Sequence, residues 1–269
     1  MLAVAAPAAH AQSGLPLQLD PTVAGEGTSM LIELDGARLS SGGRAARSLV
    51  AALPRGMRLD QRARSARCTR AQARSKRCPA SSRVGFGRLA ISISGFLAPG
   101  GESELAWSIG AFLGEPVRAG DPGSIVLRYE LLGADRVAQL LAPALDAMPE
   151  TVTVATGRVV RSSGSFGLEL EIPGLPTAVR TRAPATTKPL SLGLTLGAVR
   201  RVRRDFVRRV VVRTPGGRRV QRVPDHELVG HHLLRTPSRC RGTWISELRI
   251  AFPGTTTRAR GELFCRERD

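Results

Sequence analysis

Stretches in which every second residue is apolar recur along most of this chain, cut apart by Pro, Gly and Asp at intervals of roughly ten residues, as expected of many short half-buried strands. Met30, Ile32 and Leu34 share one face of Ser29–Leu34, and Asp35-Gly36 then supplies a turn. Ser48–Leu53, Arg88–Ser94, Glu104–Phe112 and Ser124–Leu132 read as further strands. Beyond Thr151 the pattern resumes over Thr151–Val160, Ser165–Ile172, Leu190–Leu196, Arg204–Arg213, Arg218–Val223, Glu227–Leu234, Trp244–Phe252 and Arg258–Cys265. Pro173–Lys188, broken by Pro173-Gly174, Pro176 and Pro184, is expected to be an irregular connection. Thr214-Pro215-Gly216-Gly217 is a hairpin turn signal between two Val/Arg strands.

Only Ala134–Met148 reads as a helix with one buried face: Val137, Leu140, Leu141, Ala144, Leu145 and Met148 recur at three-and-four spacing, with Pro143 expected to kink or end it. The fold class that follows is mainly β, an antiparallel sandwich-like arrangement with one short helix around 134–148. At 269 residues the chain can fill one large β-domain or two smaller ones. A boundary is expected near 148–150, between an N-terminal β-region at 12–148 and a C-terminal one at 149–269, which either stand apart or join in one domain.

Residues 3–11 are almost wholly apolar and end in Ala9-His10-Ala11, a small-x-small pattern, so residues 1–11 are expected to be a signal peptide. Met1 lacks the positive residues that open such a segment, which places the precursor's expected start further upstream. The four cysteines fall into local pairs, Cys68 with Cys78 and Cys240 with Cys265, and an even count in an exported chain reads as disulfides. Neither pair has the close spacing of a zinc knuckle, so no metal is assigned to them.

Thr69 is a reasonable N-cap for a helical Thr69–Arg77, but an unbroken helix would hold the Cys68 and Cys78 Cα atoms about 15 Å apart. A disulfide wants less than about 7 Å, so a short helical turn that reverses before Cys78-Pro79 is expected. Cys240 and Cys265 flank a hairpin with its loop at Pro253–Thr257, which would bring Cys265 opposite residues near Ile245, with Gly242 curling the chain. Trp244, Leu248, Ile250 and Phe252 would face one way, with Trp244 near the disulfide.

The formal charge of +18 changes this picture. Lys76 and Lys188 are the only lysines among 40 basic residues, and with abundant Ala, Gly and Pro this composition matches a GC-rich codon bias. Codon bias spreads charge evenly, yet half of the basic residues lie in two windows, Arg55–Arg83 and Arg200–Arg222, each holding a single acid, Asp60 and Asp205. Arg200, Arg201, Arg203, Arg204, Arg208, Arg209, Arg213, Arg218 and Arg219 are the candidate polyanion-binding residues. Their expected partners are envelope polyanions such as wall-linked phosphate polymers, acidic glycans or phospholipid headgroups. Nucleic acid is disfavoured, because aromatics make up only 4% of the chain and offer few stacking platforms.

Leu53-Pro54-Arg55-Gly56, Cys68 through Cys78-Pro79-Ala80-Ser81-Ser82-Arg83-Val84-Gly85, and Thr236-Pro237-Ser238-Arg239-Cys240 with Trp244 and a closing Cys265 resemble a group of uncharacterised secreted proteins of GC-rich Gram-positive bacteria. That resemblance covers about a third of the chain and implies export, β-structure and two local bridges. It carries over no catalytic residue.

Catalytic constellations are weak. Asp225-His226-Glu227-Leu228-Val229-Gly230-His231-His232 approaches the helical His-Glu-x-x-His of zinc peptidases, but Gly230 stands where the second histidine belongs. A metal-dependent hydrolase using His226–His232 is therefore the alternative reading. No Gly-x-Ser-x-Gly occurs, and Glu169 and Glu171 read as an outward polar edge rather than a glycosidase pair. No apolar run nears the roughly 18 residues that cross a bilayer. The reading is a non-enzymatic exported binding or structural protein of the envelope or extracellular space, without a cofactor.

Overall fold

The computed structural model describes residues 16–60, 66–95, 102–134, 145–147, 149–162, 164–177, 179–182, 185–197, 200–214 and 217–268; over 200–231 it describes the backbone, and side chains only for Val207 and Arg222. The protein is mainly β, with a large antiparallel sheet and, among the described residues, one short α-helix. In chain order the strands are β1 (Leu17–Asp20), β2 (Gly27–Asp35), β3 (Ser40–Ser41), β4 (Arg44–Ala45), β5 (Ser48–Pro54), β6 (Arg58–Leu59), β7 (Arg83–Ser94), β8 (Glu102–Gly114) and β9 (Gly123–Leu131). They continue as β10 (Val152–Arg161), β11 (Phe166–Ile172), β12 (Thr186–Leu196), β13 (Arg200–Thr214), β14 (Gly217–His231), β15 (Leu234–Arg235), β16 (Thr243–Phe252) and β17 (Thr255–Phe264). The helix α1 is Arg70–Arg74.

One sheet of 13 strands runs β17-β16-β5-β11-β10-β9-β8-β7-β12-β2-β15-β6, with β1 paired to β2. Strands from before and after residue 148 interleave, since β5 lies between β16 and β11, and β2 lies between β12 and β15. The sheet closes over on itself in a sandwich-like way. Val23, just past β1, bridges to Arg266, just past β17, and the Ala24 and Arg266 amides donate to the Arg266 and Thr22 carbonyls at 2.9 and 3.0 Å.

The enclosed face carries the core that the alternation announces. Thr28, Met30, Ile32 and Leu34 of β2 are buried, as are Trp244, Ser246, Leu248, Ile250 and Phe252 of β16. Each fully buried large apolar side chain contributes about 1.5–3 kcal/mol. A gap of about 20 Å³ remains between Met30, Leu53, Ile125, Leu170 and Leu234, room for a water molecule and not for a substrate.

Several sequence expectations need correction. β12 begins at Thr186 rather than Leu190, so the irregular connection is shorter; Pro189 is tolerated inside the strand because the register slips beside it. The strands expected at Arg218–Val223 and Glu227–Leu234 join into one as far as His231, because Pro224 sits in a two-stranded ribbon whose outer edges need no N–H donor, while Leu234 belongs to β15. The expected helix at Ala134–Met148 lies outside the described residues save 134 and 145–147; there Leu145 forms an isolated antiparallel bridge with Thr181.

Candidate polyanion-binding ribbon

The two disulfides are present, with Cα separations of 5.1 Å for Cys68–Cys78 and 5.7 Å for Cys240–Cys265. The first works as the spacing demands. Thr69 caps α1, its Oγ1 accepting from the Gln72 amide at 3.2 Å while its own amide donates to Gln72 Oε1 at 2.9 Å. The helix then stops after five residues, and Lys76, at φ 59, turns the chain back toward Cys78. The Lys76 ammonium pairs with Glu130 of β9, fastening this loop to the outer face of the sheet.

In the second disulfide the hairpin loop is only Pro253-Gly254, not Pro253–Thr257, because Gly254 at φ 79 makes the tighter turn. Phe264 therefore pairs with Thr243, and Cys265 meets Gly242 instead of Ile245. Gly242 has φ 93 and accepts the Cys265 amide at 3.2 Å, so it curls the chain as expected. Both sulfur residues pack on the core cluster to which Trp244 belongs, and the Trp244 Nε1–H donates to the Arg239 carbonyl at 3.2 Å.

Register places the Cys240–Cys265 disulfide, the two ends of the first basic window and the root of the second at one end of the sheet, while the middle of the first window lies over the outer face, where Lys76 pairs with Glu130 near the far end of β9. Pro54 pairs with Phe166, Gly114 with Ser124, Arg83 with Phe112, Leu196 with Gly85 and Leu234 with both Thr28 and Leu59. Arg55, Arg58 and Arg83 therefore leave the sheet at the end from which the chain passes out of β12 into β13 and returns from β14 into β15. Arg55, Arg58, Arg70, Arg74, Arg77 and Arg83 are exposed; Arg62 and Arg64 lie outside the described residues. The Cys68 amide donates to the Leu113 carbonyl at 2.8 Å, which ties the disulfide loop to this same end.

From that end projects a ribbon of β13 and β14, each 15 residues long, hydrogen-bonded to each other and to no strand of the main sheet. At about 3.4 Å per residue it reaches roughly 50 Å. All nine candidate arginines lie on it. One face takes Arg200, Arg204, Arg208 and Arg219; the other takes Arg201, Arg203, Arg209, Arg213 and Arg218. Arg222, in the window but outside the candidate set, joins the second face, where it opposes Arg209, while Arg213 opposes Arg218. The described side chains of this face are open to solvent: Val207 is 61% exposed and Arg222 is exposed. Between Asp205 and Asp225 the sequence has six arginines and no acid, so the outer part of the ribbon is purely cationic. The opposed pairs could not be read from the sequence without the register; the turn signal Thr214-Pro215-Gly216-Gly217, had it been used to fix that register, would have revealed them.

The rival chemistry finds no such assembly. The histidine segment is strand as far as His231, which puts His226, opposite Asp205, and His231, opposite Arg200, on different faces instead of one helical turn apart. His232 follows at the ribbon's root, its ring so close to Gly27 that a Cβ there would fall within 2.3 Å of it. Glu169 and Glu171 are held by arginines, Glu169 by Arg249 Nη2 at 2.7 Å and Glu171 by Arg158 Nη1 at 3.5 Å.

The chain matches no protein-family model and has no significant similarity to a curated protein or to a solved structure. Two disulfides are compatible with an extracytoplasmic location, and among the described residues no helix is long and apolar enough to cross a membrane.

Proposed function

We propose that this is an exported, non-enzymatic binding protein of the cell envelope or extracellular space, which holds polyanions through the arginines of the β13–β14 ribbon. The observation that carries this reading is the outer ribbon with six arginines and no acid, standing clear of the main sheet. Guanidinium groups at such density attract anionic polymers, release their counterions and pair with their oxyanions. Export is supported by the apolar leader, the two disulfides and the resemblance to secreted proteins of GC-rich Gram-positive bacteria.

Retention on a heparin column tests the binding. The wild-type protein is expected to elute at high salt, and glutamine at Arg208, Arg209, Arg213, Arg218, Arg219 and Arg222 is expected to move elution to the salt at which an ordinary basic protein leaves. Unchanged retention of that variant overturns the proposal.

A further inference from the structure

The register of the ribbon narrows the ligand. Arg209 with Arg222 and Arg213 with Arg218 form two directly opposed pairs on one face, separated by the opposed pair Val211 and Val220. Opposed positions on one face have Cβ atoms about 5 Å apart, and the two arginine pairs are spaced by roughly 14 Å along the strands. Like charges directly opposed destabilise a sheet. A ribbon without a third strand has little cohesion to offset them. Two such pairs in succession are therefore a burden on the free protein that an anion shared by each pair would remove.

We propose that this face is a site for a linear phosphodiester polymer without stacking bases, each opposed arginine pair taking one phosphate; the proposal rests on the polyanion-binding reading above. A tetrahedral phosphodiester turns its two free oxygens in divergent directions, so guanidinium forks arriving from two strands can each pair with it. A carboxylate keeps both oxygens in one plane and is matched best by a single fork. Bases would find little to stack on beside the arginine pairs, because Phe206, the one Phe, Tyr or Trp of the ribbon, lies by register on the other face, and His226 lies beyond Val207 toward the root. A lipid surface would need one continuous apolar face; here arginine alternates with valine on this face, and Arg208, Arg219 and Gln221 interrupt the valines of the other.

The test measures binding of the intact protein to four probes: synthetic poly(glycerol phosphate), polygalacturonate of matched charge, oligothymidylate and phosphatidylglycerol vesicles. Poly(glycerol phosphate) is expected to bind at least about tenfold more tightly than polygalacturonate, and more tightly than either of the other two. Lysine at Arg209, Arg213, Arg218 and Arg222 keeps the charge and is expected to bring the phosphate polymer down to the polygalacturonate level. A lysine variant that binds as wild type, or equal or tighter binding of any other probe, overturns the assignment. If polygalacturonate equals poly(glycerol phosphate) and glutamine at the four positions abolishes both, the phosphodiester assignment fails while the polyanion reading stands. If no probe binds at all, both fail.

Discussion

Arg209 and Arg222 face each other across the ribbon at directly opposed positions, in a stretch whose sequence offers no acid to separate them. Replacing Arg222 by Glu turns a like-charge pair into an opposite-charge pair, worth about 0.2–1 kcal/mol in a sheet. The variant is expected to show slower amide exchange in β13 and β14 and weaker retention on a polyanion resin. Faster exchange would contradict the register.

The two disulfides differ in the length of chain they close, with sequence separations of 10 and 25 residues. On the chain-entropy model the shorter loop stabilises by about 2.7 kcal/mol and the longer by about 3.5 kcal/mol. Serine at Cys240 and Cys265 is therefore expected to lower the denaturant midpoint more than serine at Cys68 and Cys78, as read by equilibrium unfolding of each double variant. The reverse order would show that α1 and its loop matter to the core beyond their covalent closure.

Asp121 takes a two-pronged contact from Arg158, with Nε at 3.1 Å from Oδ2 and Nη2 at 3.0 Å from Oδ1, and Oδ2 also accepts the Arg118 amide at 3.1 Å. Hydrogen bonding from Arg158 holds the carboxyl below its ordinary range, outweighing the opposite pull of burial, with the Arg118 amide adding to the lowering. A depressed carboxyl stabilises the fold above its unfolded value of about 3.9 and loses that contribution as pH falls through the folded one. Asn at position 121 is expected to be less stable than wild type at neutral pH and to converge with it in acid. Parallel stability curves from neutral pH to acid would rule out this account of the pair.

Tyr129 is the only tyrosine and is 1% exposed. Burial pushes its phenol well above the ordinary value. The unfolded chain ionises first, so the stability attached to this group is complete below about pH 10 and declines as pH rises toward the folded value. Alkaline titration followed by tyrosinate absorbance is expected to give a single steep step coincident with unfolding by circular dichroism. A gradual step near the free-tyrosine value in folded protein would contradict the burial.

The local chemistry of this fold was largely legible in the chain, and its long-range geometry was not. Alternating Met30, Ile32 and Leu34 marked β2, and Thr69 marked the start of α1, because those signals act within a few residues. Pro189 and Pro224 misled, since a proline reads as a break unless a bulge or an outer edge receives it, and both depend on distant partners. The Cys240–Cys265 hairpin was offset because one glycine, Gly254, shortened its loop. For the candidate site, the arginine window was visible in composition, yet the Arg209–Arg222 and Arg213–Arg218 pairs exist only once a register is fixed. The gathering of both disulfides, Arg55, Arg58, Arg83 and the root of the ribbon at one end of the sheet follows from the order of thirteen strands, which no local pattern encodes.

Shortening the ribbon tests the central claim most directly. Because β13 and β14 pair with no other strand, joining Val202 to Val229 through an Asn-Gly turn removes the outer ribbon and leaves the main sheet its strand order. The shortened protein is expected to keep both disulfides and the cooperative unfolding of the parent while losing its high-salt retention on heparin. Full retention by a folded, shortened protein would contradict the account.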